Sequence, residues 1–313
     1  MLAFLVRRLF LGAVVVAVVS FLSWVFFATA ASPLWQFYSD PNGKVAREVI
    51  RRAHLHDPVL TRYWLWVRDL FTGRGLGRTA VENVPVGRIV WPAMRTSLEL
   101  VGAALVLVVV VSVLLGALGA RRRRSPVAGG LRGLSYVVWS VPAFLLAELA
   151  LQGVVRVGPA WHLHLALGGA PTGGVGSWFS HMTLPILVVA AGLVAVYSRY
   201  VRSGMIEALS APYTTVARAK GLPERHVVLR HALRNSLGPF IAALTLDFGA
   251  VITASLAADW VFQLNGLATV FLTGLSDPFV MQAVLVLVAV FVVVAGLLGD
   301  LATVLLDPRA RLL

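Results

Sequence analysis

Apolar residues fall into six long runs, at about 9–30, 97–119, 131–152, 182–200, 240–261 and 279–306, and the stretches between them carry most of the charge. A helix rises about 1.5 Å per residue, so about 20 mostly apolar residues cross the hydrocarbon of a bilayer. The pattern therefore predicts an all-α integral membrane protein with six transmembrane helices. Pro142 interrupts the third run and Pro185 stands near the start of the fourth. Proline removes a backbone donor, so a kink is expected at Pro142, with neighbouring helices re-satisfying the freed carbonyl. The first run follows Arg7-Arg8 and extends to about Ala30. That is too long for the apolar part of a cleavable signal, and it reads as a retained first span.

The longest polar stretch, 31–96, separates the first and second runs. It contains an amphipathic pattern at 45–53 and the aromatic string Tyr63-Trp64-Leu65-Trp66. Tyr and Trp favour the water–lipid interface, so this string either rests on the outer membrane surface or forms the small core of an outer subdomain. Basic residues orient the chain. Arg7-Arg8, the four arginines at 121–124, Arg199, Arg202 and the cluster up to Arg234 share one side if both termini are cytoplasmic. The opposite orientation would translocate all of them, against the positive-inside bias. Arginines within 31–96 do not upset this, because the bias weakens for long segments. The expected organisation is an N-terminus and first span at 1–30 and an extended extracytoplasmic segment at 31–96. A five-helix core at 97–306 follows, with a cytoplasmic segment at 203–238, then a cytoplasmic tail at 307–313.

Composition sharpens this picture. Of 313 residues 58% are hydrophobic, more than a soluble core needs. The net charge of +13 would suggest nucleic acid on a soluble protein. Here the arginines sit beside apolar runs, so topology and anionic membrane lipid account for them, and no nucleic-acid partner is expected. There is no cysteine, which excludes disulfides and thiol chemistry. Internal repeats of the kind found in many secondary transporters are not evident.

The chain is organised around 207–239, a stretch rich in Arg, Lys and His between two apolar runs. Residues 211–219 read as a short helix stopped by Gly221 and Pro223, and a second helical stretch follows at about 224–237. A short helix parallel to the membrane is well placed to receive a push from a soluble partner. Within this stretch, Ala217-Arg218-Ala219-Lys220-Gly221-Leu222, then Arg230-His231-Ala232-Leu233-Arg234-Asn235 and Pro239, resembles the coupling loop of ABC importer permeases. The likeness is closest to the branch that imports oligopeptides, dipeptides and nickel, typified by oligopeptide permease B subunits. It extends through Arg7-Arg8-Leu9, Asp57-Pro58 with Tyr63 and Trp66, and Thr96-Ser97-Leu98-Glu99-Leu100. It continues through Val141-Pro142-Ala143-Phe144, Leu184-Pro185, Arg199-Tyr200-Val201-Arg202, Asp300-Leu301 and Leu306-Asp307-Pro308-Arg309. The departures cluster on the outer side. Ala31-Ser32-Pro33, Gly75 and Asn265-Gly266-Leu267-Ala268 stand where the family often has Gly-Asp-Pro, Asp and Pro-Gly-Leu-Gly.

The resemblance implies a type I ABC importer permease fold in a bacterial inner membrane. It also implies partners: a second homologous permease subunit, two ABC ATPase subunits, an extracytoplasmic substrate-binding lipoprotein and a peptide substrate. It assigns ATPase coupling to Tyr213, Ala217, Arg218, Ala219, Lys220 and Gly221. Arg218 and Lys220 would meet acidic rims, Ala217 and Ala219 would permit close approach, and Gly221 would permit the turn. The chain has no phosphate loop of the form G-x-x-x-x-G-K-[ST], so it is expected to be non-catalytic. It would bind no cofactor of its own, with ATP and Mg on the partner subunits.

Ionisable residues inside a membrane are costly and mark functional sites. Asp247, Glu148 and Asp259 are the translocation-path candidates, and Asp247 is the deepest of them in the fifth run. For Asp247 the functional role is contact with a peptide's amino terminus, and the alternative is a helix–helix hydrogen bond. For Asp259 the alternative is a solvated helix end. His54 with His56 and His162 with His164 alternate at i, i+2, whereas a helical metal pair needs i, i+3 or i, i+4. No metal site is expected. Two other classes compete with the importer: a stand-alone channel or secondary transporter, and a membrane-embedded enzyme. Neither needs an ATPase-docking helix, and no nucleophile–base motif is present. Import of nickel or another small solute is the alternative within the same architecture.

Overall fold

The computed structural model describes residues 2–30, 43, 47–48, 50–51, 54, 56–73, 75–80, 82–121, 126–158 and 165–306. The elements in order are α1 (Leu2–Ala30), α2 (Val59–Phe71), α3 (Val86–Arg121), α4 (Pro126–Ser140) and α5 (Ala143–Val157). They continue with α6 (Val175–Ser210), α7 (Pro212–Ala219), α8 (Glu224–Leu246), α9 (Phe248–Phe262), α10 (Leu267–Thr273) and α11 (Pro278–Leu306). Among the described residues there is no β-strand, only an isolated bridge between Arg78 and Pro85. Helices α1, α3, α6 and α11 are each long and apolar enough to cross a membrane alone. Two bent pairs, α4 with α5 and α8 with α9, qualify as spans when each is taken together. This is a multi-pass all-helical membrane protein, and six spans result when each pair counts as one.

The two pairs correct the sequence reading. The third apolar run is not a kinked helix. The chain leaves helical geometry at Val141-Pro142, and the helices on either side differ in direction by 104°. Proline disfavours the helical region for the residue before it, and Pro142 itself (φ −56, ψ 142) serves as the N-cap of α5. The fifth run does not begin afresh at about Phe240. The helix from Glu224 passes without a stop through Pro239 to Leu246 and then breaks at Asp247, with a 57° change of direction into α9. Two other spans are longer than their apolar runs: α3 starts at Val86 rather than at about 97, and α6 covers Val175–Ser210. Backbone hydrogen bonding carries a helix into polar flanks that a hydropathy reading excludes. Of the 45–53 pattern, residues 47–48 and 50–51 are helical and the rest lies outside the described residues, as do Arg122 to Arg124, His162, His164 and the tail from Asp307.

The chain forms two compact units. The first comprises residues 1–97 and 263–294. Its core is Trp24 and Trp66, with ring centroids 5.7 Å apart, flanked by Tyr63 and Phe279. Both indoles also donate to backbone carbonyls, Trp24 to Val59 (3.2 Å) and Trp66 to Leu76 (3.3 Å). The aromatic string of α2 is thus a packed core that fastens α2 to α1, although Trp64 remains exposed. Deeper along α1, Ser23 donates to Gln282 Oε1 (2.8 Å), and Gln282 Nε2 donates to the Ser20 carbonyl (2.9 Å). All three residues are buried, so the polar groups of α1 and α11 satisfy one another. Asp277 precedes α11 and accepts from the N–H of Phe279 (3.0 Å) and the N–H of Ala80 (2.6 Å). It thereby caps the helix and holds the 77–85 loop. Burial raises its carboxyl above the ordinary value, against the pull of these donors.

The second unit comprises residues 98–262 and 295–313 and is built on α6. Helices α4, α5, α8 and α9 all pack against α6, whose buried residues include Met182, Tyr197, Val201 and Met205. Small residues set the closest approaches. A Cβ on Gly116 of α3 would lie 2.6 Å from Val201 Cβ and 2.9 Å from the Ser198 carbonyl oxygen of α6. A Cβ on Gly299 of α11 would lie 2.4 Å from Thr245 of α8. The Arg199 guanidinium stacks 4.5 Å from the Tyr136 ring centroid, a cation–π contact that ties α6 to α4. Because the Gly116 contact includes backbone, the neighbour cannot yield by changing rotamer. Gly116→Ala is expected to destabilise the folded chain by about 1–3 kcal/mol, the usual cost of overpacking. A lowered thermal midpoint in detergent would be the readout, with Gly102→Ala, where a Cβ meets nothing, as the neutral control.

Candidate functional site

The basic stretch between α6 and α8 folds into a tight helical hairpin. Helix α6 ends at Ser210, Ala211 is extended (φ −74, ψ 149), and Pro212 opens α7 at its first turn, where a missing N–H costs nothing. Thr214 is fully buried, and its hydroxyl donates to the Ala211 carbonyl (2.7 Å) and the Leu209 carbonyl (3.1 Å). This closes the corner between α6 and α7. At the other end, Gly221 has φ +77, in the left-handed region. The Gly221 N–H bonds to the Arg218 carbonyl (2.9 Å) and the Leu222 N–H to the Ala217 carbonyl (3.3 Å). These are the two bonds of a Schellman cap, and a glycine at that position avoids the Cβ penalty. Pro223 then caps α8.

Arg218 closes the hairpin. Its Nε donates to Glu224 Oε2 (3.1 Å), Nη2 to Glu224 Oε1 (3.0 Å), and Nη1 to the Leu209 carbonyl (3.3 Å). One guanidinium therefore joins the end of α6, the end of α7 and the start of α8. The hydrogen bond to Arg218 holds the Glu224 carboxyl below its ordinary value, and the same bond raises Arg218. Both groups are solvent-exposed, so the pair is worth little as net stability and matters for geometry.

The six residues expected to couple divide by direction. Ala217 is 6% exposed and faces the chain's own interior, with Thr214, so it is not available for close approach by a partner. Tyr213 (41%) and Val216 (53%) are exposed one turn apart, and Ala219, Lys220 and Gly221 are exposed at the tip. Arg218 is exposed but engaged. Sequence reasoning did not single out Glu224; an acidic residue at the first turn after Gly-Leu-Pro was its available signal. Helix α8 continues as a π-helix over Val227–Leu233, where wider turns bring the His226 and His231 rings to 5.9 Å.

The three intramembrane acids have different surroundings. Asp247 is exposed at the break between α8 and α9, and the buried Tyr197 hydroxyl on α6 reaches its Oδ2 at 3.5 Å. Asp259, on α9, is 1% exposed, so a solvated helix end is not its environment. Glu148, on α5, is exposed and accepts from Gln152 Nε2 one turn later (3.0 Å). A further acid, Glu99 on α3, accepts from the Trp178 indole (2.8 Å), a contact with no signal in sequence spacing. Among the described residues no group of three or more His, Cys, Asp or Glu side chains is arranged to hold a metal, and His54 lies 3.2 Å from Asp57.

Comparison with known proteins covers almost the whole chain. Residues 112–312 match the family described as binding-protein-dependent transport system inner membrane component, and residues 1–89 match the N-terminal membrane component of the same systems. The dipeptide transport system permease protein DppB of Lactococcus lactis is 30% identical, over 100% of both chains. The oligopeptide transport system permease protein OppB of Mycobacterium tuberculosis is 30% identical, over 99% of each. The oligopeptide transport system permease protein AppB of Bacillus subtilis is 29% identical, over 99% of each.

If Arg218 acts through Glu224, each single reversal, Arg218→Glu or Glu224→Arg, loosens the hairpin, and the double exchange restores it. Hydrogen exchange at the Leu222 amide reads this directly. Because the Glu224 pKa is depressed in the folded state, the pair's contribution is present above the ordinary value of 4.5 and is lost as pH falls through the depressed one. Protection of that amide is therefore expected to fall with acid in the parent chain and to be pH-insensitive in Glu224→Gln.

Proposed function

We propose, on the ground that the chain belongs to the family of binding-protein-dependent transport system inner membrane components, that it is the permease subunit of an ATP-driven peptide importer. The observation that carries this reading is full-length similarity to permeases named for dipeptide and oligopeptide transport. In the proposed assembly the chain forms half of the translocation pathway, and a second homologous permease forms the other half. Two ATPase subunits bind on the cytoplasmic side, and a substrate-binding lipoprotein delivers peptide from outside. Both termini and the 203–238 segment are cytoplasmic, and 31–96 is extracytoplasmic.

The hairpin supports coupling. Helix α7 is short, capped at both ends and fastened to α6 by Thr214 and Arg218. A displacement applied to α7 is thus transmitted to α6, the helix on which the second unit is built, rather than absorbed by a loose loop. Tyr213, Val216, Ala219 and Lys220 form the proposed contact with the ATPase. Asp247 supports a substrate path, because the helix breaks there and an exposed carboxylate is held toward Tyr197. A peptide's ammonium group is its proposed ligand.

Affinity purification of the tagged chain from its native membrane in mild detergent tests the assembly. Recovery of two ATPase subunits and a second multi-span permease is expected. Recovery of the chain alone as a homo-oligomer would overturn the importer reading in favour of a channel or secondary carrier. For the path, Asp247→Asn is expected to shift preference across a peptide panel by about tenfold while leaving ATPase subunits bound, in line with loss of a charge-assisted contact of roughly 1.5 kcal/mol. Unchanged uptake across the panel would return Asp247 to a purely structural hydrogen bond.

A further inference from the structure

The first unit contains a cavity of about 550 Å³ that the coupling and translocation readings leave without a role. Its volume lies within the range of small-molecule sites. The walls are fixed by bonds already described. Trp24 and Trp66 are held through their indole N–H groups, Ala80 by Asp277, and Thr79 by its backbone bond to the Val84 carbonyl (2.8 Å). The lining includes the aromatic Trp24, Trp66 and Phe279 and the charged Arg62, Arg78 and Asp69. Asp69 lies 3.4 Å from Arg68, outside the lining, so the lining side chains leave a net positive balance.

Arg62 is the unusual member. Its Nε is buried and has no hydrogen-bond partner among the described residues. Its guanidinium carbon stands 6.0 Å from the Trp24 ring centroid, which orients the planar group against an aromatic face. Burial lowers its pKa, and Asp57 offsets this only in part. With Nε closed off from the cavity, the terminal guanidinium N–H groups are what an oxyanion there can meet, and they suit one that accepts two parallel bonds. A free inorganic anion would fill only a small part of 550 Å³. The aromatic wall suits an apolar group attached to it.

We propose that this cavity is a binding site for an organic anion, with its carboxylate or phosphate on Arg62 and its apolar part against Trp24, Trp66 and Phe279. The site lies on residues outside the coupling hairpin and the three intramembrane acids, and it stands whatever solute is transported. Two sources supply this chemistry: a short peptide with a free carboxyl terminus and an anionic lipid headgroup.

Calorimetry on the full chain in nanodiscs of phosphatidylcholine separates them. One arm titrates the tripeptide Ala-Ala-Phe as free acid and as carboxyl-terminal amide. The other arm titrates short-chain phosphatidylglycerol against short-chain phosphatidylcholine. Saturable binding of at least one anion is expected, at least tenfold tighter than its uncharged or zwitterionic counterpart. Arg62→Gln weakens that binding tenfold or more, Arg62→Lys weakens it less, and Arg225→Gln, far along the chain, leaves it unchanged. Leu65→Trp keeps every charge but fills the cavity, and the same loss is expected, so the idea survives a failure of the Arg62 variants to fold. Binding that is indifferent to Arg62→Gln and Leu65→Trp, or to the anionic group, would overturn the site. Peptide binding that persists in both variants would place peptide elsewhere and leave the importer reading intact.

Discussion

A polypeptide inside hydrocarbon has no water to satisfy its backbone, and this constraint governs the whole molecule. It explains the absence of strands among the described residues and the length of α1, α3, α6 and α11. It also gives meaning to the two places where helical bonding stops inside an apolar run. At Val141-Pro142 the cause is steric, since proline cannot supply the N–H and displaces its predecessor from helical geometry. The break at Asp247 has no proline. There Asp247 N–H still bonds to the Ala243 carbonyl (3.0 Å), the next helix begins one residue later, and Ala250 N–H bonds back to the Asp247 carbonyl (2.8 Å). A break of this kind in a membrane is tolerated where protein or a water-filled space covers it. The Asp247 carboxylate is exposed at that break.

The same constraint shapes helix association. Apolar side chains gain little by leaving lipid for protein, so close packing and internal hydrogen bonds hold the helices. Gly116 and Gly299 allow close approach by lacking a side chain, and Ser20, Ser23 and Gln282 contribute polar groups that satisfy one another. These are opposite solutions to one problem. The glycine contacts are sensitive to volume, and the Gln282 cluster is sensitive to loss of any one partner.

How much of this the sequence disclosed follows from which forces are local. The multi-span all-helical class, the short helix read at 211–219 and found at 212–219, and its stop at Gly221 were legible, because length, proline placement and the left-handed glycine are properties of a few consecutive residues. The broken spans were not, since hydropathy registers composition and not direction: 131–152 and 240–261 are apolar whether straight or bent. Contacts that join distant segments were equally hidden. Nothing in spacing links Tyr197 to Asp247, Glu99 to Trp178 or Asp277 to Ala80. The burial of Ala217 was missed for another reason. A motif records which residues accompany a function, and it does not separate those that face a partner from those that fasten the helix bearing them.

That distinction changes how the basic character of the hairpin is understood. Arg218 is the residue that charge alone would assign to an acidic partner, yet its three donating nitrogens are all used within the chain. Its carboxylate partner is exposed, so the pair adds little to stability, but the bidentate geometry fixes the angle between α7 and α8. The exposed surface of α7 then offers Tyr213 and Val216 one turn apart and Lys220 at the tip. The proposed coupling contact would gain from such a division. Non-directional apolar burial lets the partner seat and release, while directional hydrogen bonds inside the hairpin keep the lever rigid. The Arg218–Glu224 charge pair, whatever the other cations of the segment do, acts as internal bracing.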